Sequence, residues 1–322
     1  MAEIPQERLR DTLRPGAMPP LPSSVPVSRE SERASLETKL IVGCGYLGLR
    51  VAERWLDAGH EVFAVTRSRE RAAGFAKRGL RPIVADVMRL DSLVGLPAAS
   101  SILYAVGYDR KQSFGIEEVY LRGLVNVLNA LPTNAGRVVY VSSTGVYGDC
   151  GGAWIDEHTP CFPERAGGRA CLAAEEALLS HPRGANAVVL RMAGIYGPGR
   201  IPNREALQQG RTIPAPAAGW LNLIHVDDAA SVVLAAEKVA RGPRYYLVSD
   251  GRPVARRDYY RQLAQLLEAP PPRFIAPDAT LPSAVRAASD KRVSNSRLRN
   301  ELGVHFAFPS FREGLAGIVA TG

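Results

Sequence analysis

Leu40-Ile41-Val42-Gly43-Cys44-Gly45-Tyr46-Leu47-Gly48 is an apolar run that breaks into a G-x-G-x-x-G turn. The run predicts a buried strand, and the apolar positions after Gly45 predict a helix over about 47–58. A strand before the motif and a helix after it are the context in which this turn cradles a dinucleotide. Gly43 permits the tight turn, Gly45 lets the backbone approach a pyrophosphate, and Gly48 lets the helix pack closely on the strand. The helix N-terminus then offers free N–H groups to the phosphates. Gly43, Gly45, Tyr46, Leu47 and Gly48 are therefore the first candidate cofactor contacts.

Outward from this turn the chain alternates. Strands are predicted at 61–66, 82–85, 101–105, 137–141, 187–190 and 245–248. Helices are predicted at 68–78, 114–131, 227–240 and 256–268. Short apolar strands separated by helices mean βαβ units, and strands apolar throughout mean a parallel sheet covered on both faces. The expected fold class is α/β: a Rossmann-type doubly wound parallel sheet with a smaller C-terminal α/β substrate lobe. The expected division is a dinucleotide-binding domain over 38–195 and a C-terminal lobe over 196–322 interleaved with it. Residues 1–37 carry six prolines among Ser, Arg and Glu and read as a disordered tail, because such a segment buries too little apolar surface to offset its ordering entropy. The Pro-rich stretch Ala269–Pro282 reads as an irregular connection within the lobe.

Cofactor preference is set at the end of the second strand. Thr66-Arg67-Ser68-Arg69 contains no carboxylate to hold a ribose 2′-hydroxyl. Arg67, assisted by Ser68 or Arg69, suits a 2′-phosphate, so NADP is expected over NAD. Asp86 follows the third strand within reach of an adenine amino group. Ala105-Val106-Gly107 leaves room for a dinucleotide across the strand ends.

The chain has 322 residues and a formal net charge of +8. Its arginines are scattered, with no basic stripe interleaved with aromatics, so no nucleic-acid partner is expected. The four cysteines have neither C-x-x-C nor zinc-ligand spacing, and free thiols and no metal are expected. No apolar run approaches the roughly 18 residues of a membrane span. Neither a secretory leader nor a membrane contact is expected, and a cytoplasmic location is.

Several segments together resemble the extended short-chain dehydrogenases/reductases, the NAD-dependent epimerase/dehydratase family. They are Val42–Gly48, Val141-Ser142-Ser143-Thr144-Gly145-Val146-Tyr147-Gly148, Asp156–Pro160, Leu190-Arg191-Met192-Ala193-Gly194-Ile195-Tyr196-Gly197-Pro198-Gly199, Ile224–Asp228, and the C-terminal 300–303 and 308–315. The similarity spans about 39–320 and is greatest to the atypical YeeZ-like branch. The resemblance implies a Rossmann sheet, a substrate cleft over the nicotinamide, and a homodimer through helices near 114–131 and 168–180. It also implies a catalytic Ser/Thr, a Tyr-x-x-x-Lys pair on one helix face, and an assisting Asn.

The chain departs from that set. Ser143 matches the Ser/Thr, but Gly167 stands at the Tyr position, Cys171 at the Lys position and Tyr120 at the Asn position. A substitute proton donor would come from Tyr147, Tyr120, Tyr196 or His225, of which Tyr147 is nearest Ser143 in sequence. Thr144, Arg191 and Tyr196 are candidate substrate contacts; Arg191 would either grip an anionic group or order the loop 197–199. Trp220 and Asn222 are weaker candidates, and Asp227 and Asp228 read as first-turn acids of a helix. Two readings stand: an NADP-dependent reductase or epimerase of a small polar substrate, or a dinucleotide-binding sensor that has lost turnover.

Overall fold

The computed structural model describes residues 36–239, 241–276, 278 and 289–321. The predicted tail therefore lies almost wholly outside the described residues. Glu37 is an exception and a correction: its carbonyl accepts the Glu61 N–H at 2.9 Å, and its carboxylate pairs with Lys39 Nζ at 2.6 Å. Composition places it with the tail, but these bonds tie it to the edge of the fold.

Seven strands form one parallel sheet: β1 (Thr38–Val42), β2 (Glu61–Thr66), β3 (Arg81–Val84), β4 (Ser101–Tyr104), β5 (Arg137–Ser143), β6 (Val188–Met192) and β7 (Arg244–Val248). Their order is β7-β6-β5-β4-β1-β2-β3. The chain moves outward from β1 on one side through β2 and β3, then crosses to β4 on the other. That switch leaves a crevice beyond the carboxyl ends of β1 and β4, where open α/β sheets bind ligands.

Among the described residues the helices of seven residues or more are α1 (Tyr46–Asp57), α2 (Arg69–Lys77), α3 (Gly123–Ala130), α4 (Ala166–Ser180), α5 (Val226–Ala236), α6 (Arg256–Leu266), α7 (Ser296–Leu302) and α8 (Phe311–Thr321). α1 buries Leu47, Val51, Ala52 and Trp55, a helical-period stripe, against one face of the sheet together with α5. α3 and α4 bury Leu124, Val127, Leu128, Ala174 and Leu178 against the other face. Both faces are covered, which is why β4 and β6 are buried along their whole length. The helix predicted over 114–131 differs in its first turn: Glu118–Arg122 forms a wide π-helical turn before α3.

A third apolar cluster joins Tyr196, Leu207, Ile213, Leu223 and Val254 to Tyr259 and Leu263 of α6 and Phe311 and Leu315 of α8. Short paired segments border it: Gly194–Tyr196 with Leu223–His225, and Trp220–Leu221 with Val254–Ala255. The stretch 269–282 is not wholly irregular. Phe274–Ile275 pairs with Ile213–Pro214, while 277 and 279–282 lie outside the described residues.

Asp250, two residues beyond β7, is 5% exposed. Its Oδ1 accepts the Arg252 N–H at 2.9 Å, and its Oδ2 has no partner among the described residues. Burial pushes this carboxyl up to about 7; contacts with Arg252 oppose the shift, and Glu313 and Asp228 add to it. A carboxyl with a higher pKa folded than unfolded holds its proton in the folded state between about pH 4 and pH 7, so its contribution to stability falls as pH rises through that window. Asp250→Asn should reduce the stability lost between pH 5 and pH 7.5 by on the order of 1–3 kcal/mol, read by urea unfolding. Equal pH dependence in the two proteins would contradict this.

Candidate cofactor and substrate site

Each glycine of the turn has its own geometry. Gly43 has φ +97°, and a Cβ there would stand 2.4 Å from the Ala105 carbonyl carbon. A Cβ on Gly48 would stand 2.6 Å from the Gly43 oxygen. These two positions are closed by neighbouring backbone. Gly45 is the opposite: a Cβ there meets nothing within 4 Å. It faces open space at the start of α1, and α1 has no side-chain N-cap. The free N–H groups of the first turn and the bare Gly45 backbone therefore fit a pyrophosphate. Leu47 is buried under α1, and the Tyr46 hydroxyl donates to the Pro198 carbonyl at 3.0 Å, so these two fix the helix start.

A cleft of about 370 Å³ runs from this turn across the strand ends. Its lining includes Gly43, Gly45, Arg67, Asp86, Ala105, Val106 and Gly107. A larger depression, about 590 Å³, lies beside β7 and lacks the glycine-turn geometry. Asp86 is partly committed to its own turn, accepting the Met88 N–H at 2.9 Å.

Arg67 stands at the end of β2, where its guanidinium donates to Gln112 Oε1 at 2.9 Å and to Asp109 Oδ2 at 3.3 Å. Ser68 caps α2, its hydroxyl accepting the Arg71 N–H at 3.2 Å. Arg69 is exposed and outside the cleft lining, which corrects its expected role. The second cation of the cleft is Arg71, which sequence reasoning misses. Its Nη2 donates to the Cys44 carbonyl at 2.6 Å, beside the glycine turn. The available signal is its position, two residues after Arg69 in the first turn of α2, where the helix carries it back toward β1.

Ser143 ends β5, and its Oγ accepts the Gly145 N–H at 3.0 Å. The hydroxyl is thus a cap, with its own hydrogen free in direction to donate. Thr144 opens the 3₁₀ turn Thr144–Tyr147 and is half-buried. Tyr147 does not line the cleft. It is 1% exposed, and its hydroxyl accepts Arg191 Nη1 at 2.6 Å. Burial raises its pKa, against the opposing pull of Arg191. A hydroxyl so placed cannot reach a substrate proton, which corrects its expected catalytic role.

Arg191 is also corrected as a substrate contact. It is 6% exposed and donates to both carboxylate oxygens of Glu175, through Nη2 at 2.7 Å and Nε at 3.1 Å and 3.2 Å. Ser142 Oγ makes a further short hydrogen bond to Glu175. Tyr196 is buried, its hydroxyl donating to the Ser310 carbonyl at 3.3 Å, and so packs the lobe rather than lining the cleft. His225 caps α5, accepting the Asp227 N–H at 3.3 Å, and stacks on Phe308 at 3.8 Å. Asp228 anchors the backbone N–H groups of Ala307 and Phe308, and Asn222 clips Lys291 to Val293. Trp220 stacks under Arg292, and Tyr120 packs half-buried against the Tyr147 cluster.

Gly167 and Cys171 both lie on α4, one turn apart, followed by Glu175. Burial, and then Glu175, push the Cys171 thiol up to about 11, so it is neutral. Arg165, at the N-cap of α4, reaches back over Gly145: a Cβ on Gly145 would stand 2.8 Å from Arg165 Nη2 and 3.2 Å from Ser143 Oγ.

Known proteins share this architecture. Residues 40–248 match the profile of the NAD dependent epimerase/dehydratase family. Protein YeeZ of Escherichia coli K12 is 31% identical over 278 residues, 84% of this chain and 95% of that protein. A solved structure of a proposed NAD-dependent epimerase/dehydratase from Methylobacillus flagellatus is 32% identical, with a TM-score of 0.73 over 89% of this chain and 99% of that one. The Bordetella bronchiseptica enzyme WbmG, solved with NAD, shares the fold at 21% identity and a TM-score of 0.74, over 90% of this chain and 95% of that one. With the glycine turn, the strand order and these matches in place, the chain belongs to the NAD dependent epimerase/dehydratase family and is a nicotinamide-dinucleotide enzyme of the short-chain dehydrogenase/reductase type.

Proposed function

We propose that the protein is an NADP(H)-dependent oxidoreductase that reduces, or reversibly oxidises and isomerises, a small polar carbonyl substrate. The observation that carries the cofactor preference is the pair Arg67 and Arg71 on the cleft, at a strand end with no carboxylate of its own. Two guanidiniums suit the two negative charges of a 2′-phosphate, which each can meet with charge-assisted hydrogen bonds. Gly43, Gly45 and Gly48 would admit the pyrophosphate, and Ala105–Gly107 would leave the strand ends open. When bound, the cofactor supplies or accepts a hydride. Ser143 would orient the substrate oxygen by donating its hydroxyl hydrogen. With Tyr147 buried and Gly167 and Cys171 unable to relay a proton, water completes the proton transfer in this reading.

Thermal unfolding in the presence of NADPH or NADH tests this. A ligand at 100 times its Kd should stabilise the fold by about 2.7 kcal/mol. NADPH should reach that stabilisation at least tenfold below NADH. Arg71→Ala should weaken NADPH by about 10–100-fold, the worth of one hydrogen bond to a charged group, while leaving NADH nearly unaffected. Equal affinity for the two cofactors, or an Arg71→Ala variant that weakens both alike, would overturn the preference.

A further inference from the structure

We propose that Asp109 sets which dinucleotide the cleft accepts, because its carboxylate and a cofactor 2′-phosphate are alternative partners for the Arg67 guanidinium. This rests on the cofactor reading above and adds to it the residue that limits the preference for NADP(H). The end of β2, which carries Arg67, has no carboxylate of its own, but the segment after β4 brings one to it from 42 positions away. Arg67 Nη2 donates to Asp109 Oδ2 at 3.3 Å, and Nη1 donates to Gln112 Oε1 at 2.9 Å. Both outer ends of the guanidinium fork are therefore engaged by one short segment. Arg67, Asp109 and Gln112 all line the cleft of about 370 Å³ that holds the glycine turn.

The Arg67–Asp109 pair can be exchanged. Its side chains are 46% and 48% exposed, and an ion pair so open to water contributes little. A phosphate competes well for such a guanidinium, but here it does so beside the Asp109 carboxylate, a like charge. The charged residues lining the cleft are Arg67, Arg71, Asp86 and Asp109, which sum to zero. Neutralising Asp109 leaves the cleft one net positive charge. Gln112 gives a second sign that a ligand belongs at this end. Because Arg67 donates to it, its amide turns the oxygen there, and its Nε2 is buried with no partner among the described residues. A buried donor without an acceptor is costly, and a ligand oxygen in the cleft relieves that cost. Asp109 also shapes its own turn: Oδ1 accepts the Lys111 N–H at 3.0 Å, and its carbonyl accepts the Gln112 N–H at 3.2 Å. An asparagine keeps both acceptors, so Asp109→Asn removes the charge and leaves the turn.

Calorimetric titration of the full chain with NADPH and with NADH, at one ionic strength, tests this. Asp109→Asn should shift the ratio of the two affinities about fivefold or more toward NADPH, mainly by tightening NADPH. Asp109→Glu keeps the charge and should stay within about twofold of the wild-type ratio. Two shorter probes isolate the adenosine end. Asp109→Asn should tighten 2′-AMP by about fivefold or more and leave 5′-AMP within about twofold. If the ratio does not move, or moves toward NADH, Asp109 does not compete with the phosphate and the proposal fails. That failure is distinct from a failure of the NADP(H) preference. A wild type that binds NADH more tightly overturns the preference, and the shift on Asp109→Asn still decides the role of Asp109. If neither dinucleotide binds the wild type or the variant, both fall. Thermal unfolding without ligand checks that the variants fold, with Asp109→Ser as a second neutral variant whose hydroxyl can still accept the Lys111 N–H.

Discussion

Glu175→Ala should lower the unfolding free energy by about 3–5 kcal/mol, the cost of leaving one member of a buried ion pair without its partner. Glu175 is 1% exposed and receives three hydrogen-bond contacts from Arg191. Without it the guanidinium keeps only Tyr147 among these partners, in surroundings where a charge is costly. Glu175→Gln should cost less, because one acceptor oxygen survives. Arg191→Met in the Glu175→Ala background should recover a large part of the loss, because it removes the stranded charge. Urea unfolding of the four proteins measures all of this. A Glu175→Ala loss below about 1 kcal/mol would mean that water reaches Arg191, and that the pair is not the buried anchor described above. The consequence reaches the site through the sheet, since Ser142 and Ser143 of β5 are in register with Arg191 and Met192 of β6.

Gly45→Val should weaken NADPH at least 100-fold, about 2.7 kcal/mol, with little change in stability. Gly45 has φ −99°, outside the positive-φ region that favours glycine, and its open face meets no protein atom. A valine there occupies only the room that a pyrophosphate would need. Gly43→Ala is the control with the opposite pattern. At φ +97° and 2.4 Å from the Ala105 backbone, even a methyl group forces the turn apart. That variant should lose stability as well as affinity. Calorimetry with NADPH and thermal unfolding separate the two effects. If Gly45→Val binds NADPH like the wild type, the pyrophosphate does not pass over this glycine.

Local pattern carried much of the fold. β2 is predicted at its observed bounds, and β1, β7, α1 and α6 lie within two residues of theirs, because buried strands and amphipathic helices write their burial into residue order. The Arg67-Ser68-Arg69 reading is legible only in part. Residue order says that a cation stands at the end of β2, but which arginine turns toward the cleft depends on where α2 begins. Ser68 caps that helix, and the cap sends Arg71 rather than Arg69 back to the Cys44 carbonyl.

The catalytic region was least legible. Ser143 and Tyr147 are four residues apart and look like partners. The 3₁₀ turn between them rotates Tyr147 into the core, where Arg191 from a separate strand takes its hydroxyl. Glu175 carries no local signal that it is buried, because a single acid in a helix ordinarily faces water.

Residue order alone determined the βαβ rhythm, the glycine turn and the absence of a ribose-binding acid after β2, since each depends on neighbours within a few positions. Tertiary structure decided which polar side chains face the cleft. Arg67 and Arg71 reach it, and Arg191, Tyr147 and Tyr196 do not. That choice is made by side chains meeting across 16 to 114 positions of chain, as Glu175 meets Arg191 and Tyr196 meets Ser310, and by the low tolerance of a packed interior for an unpaired charge.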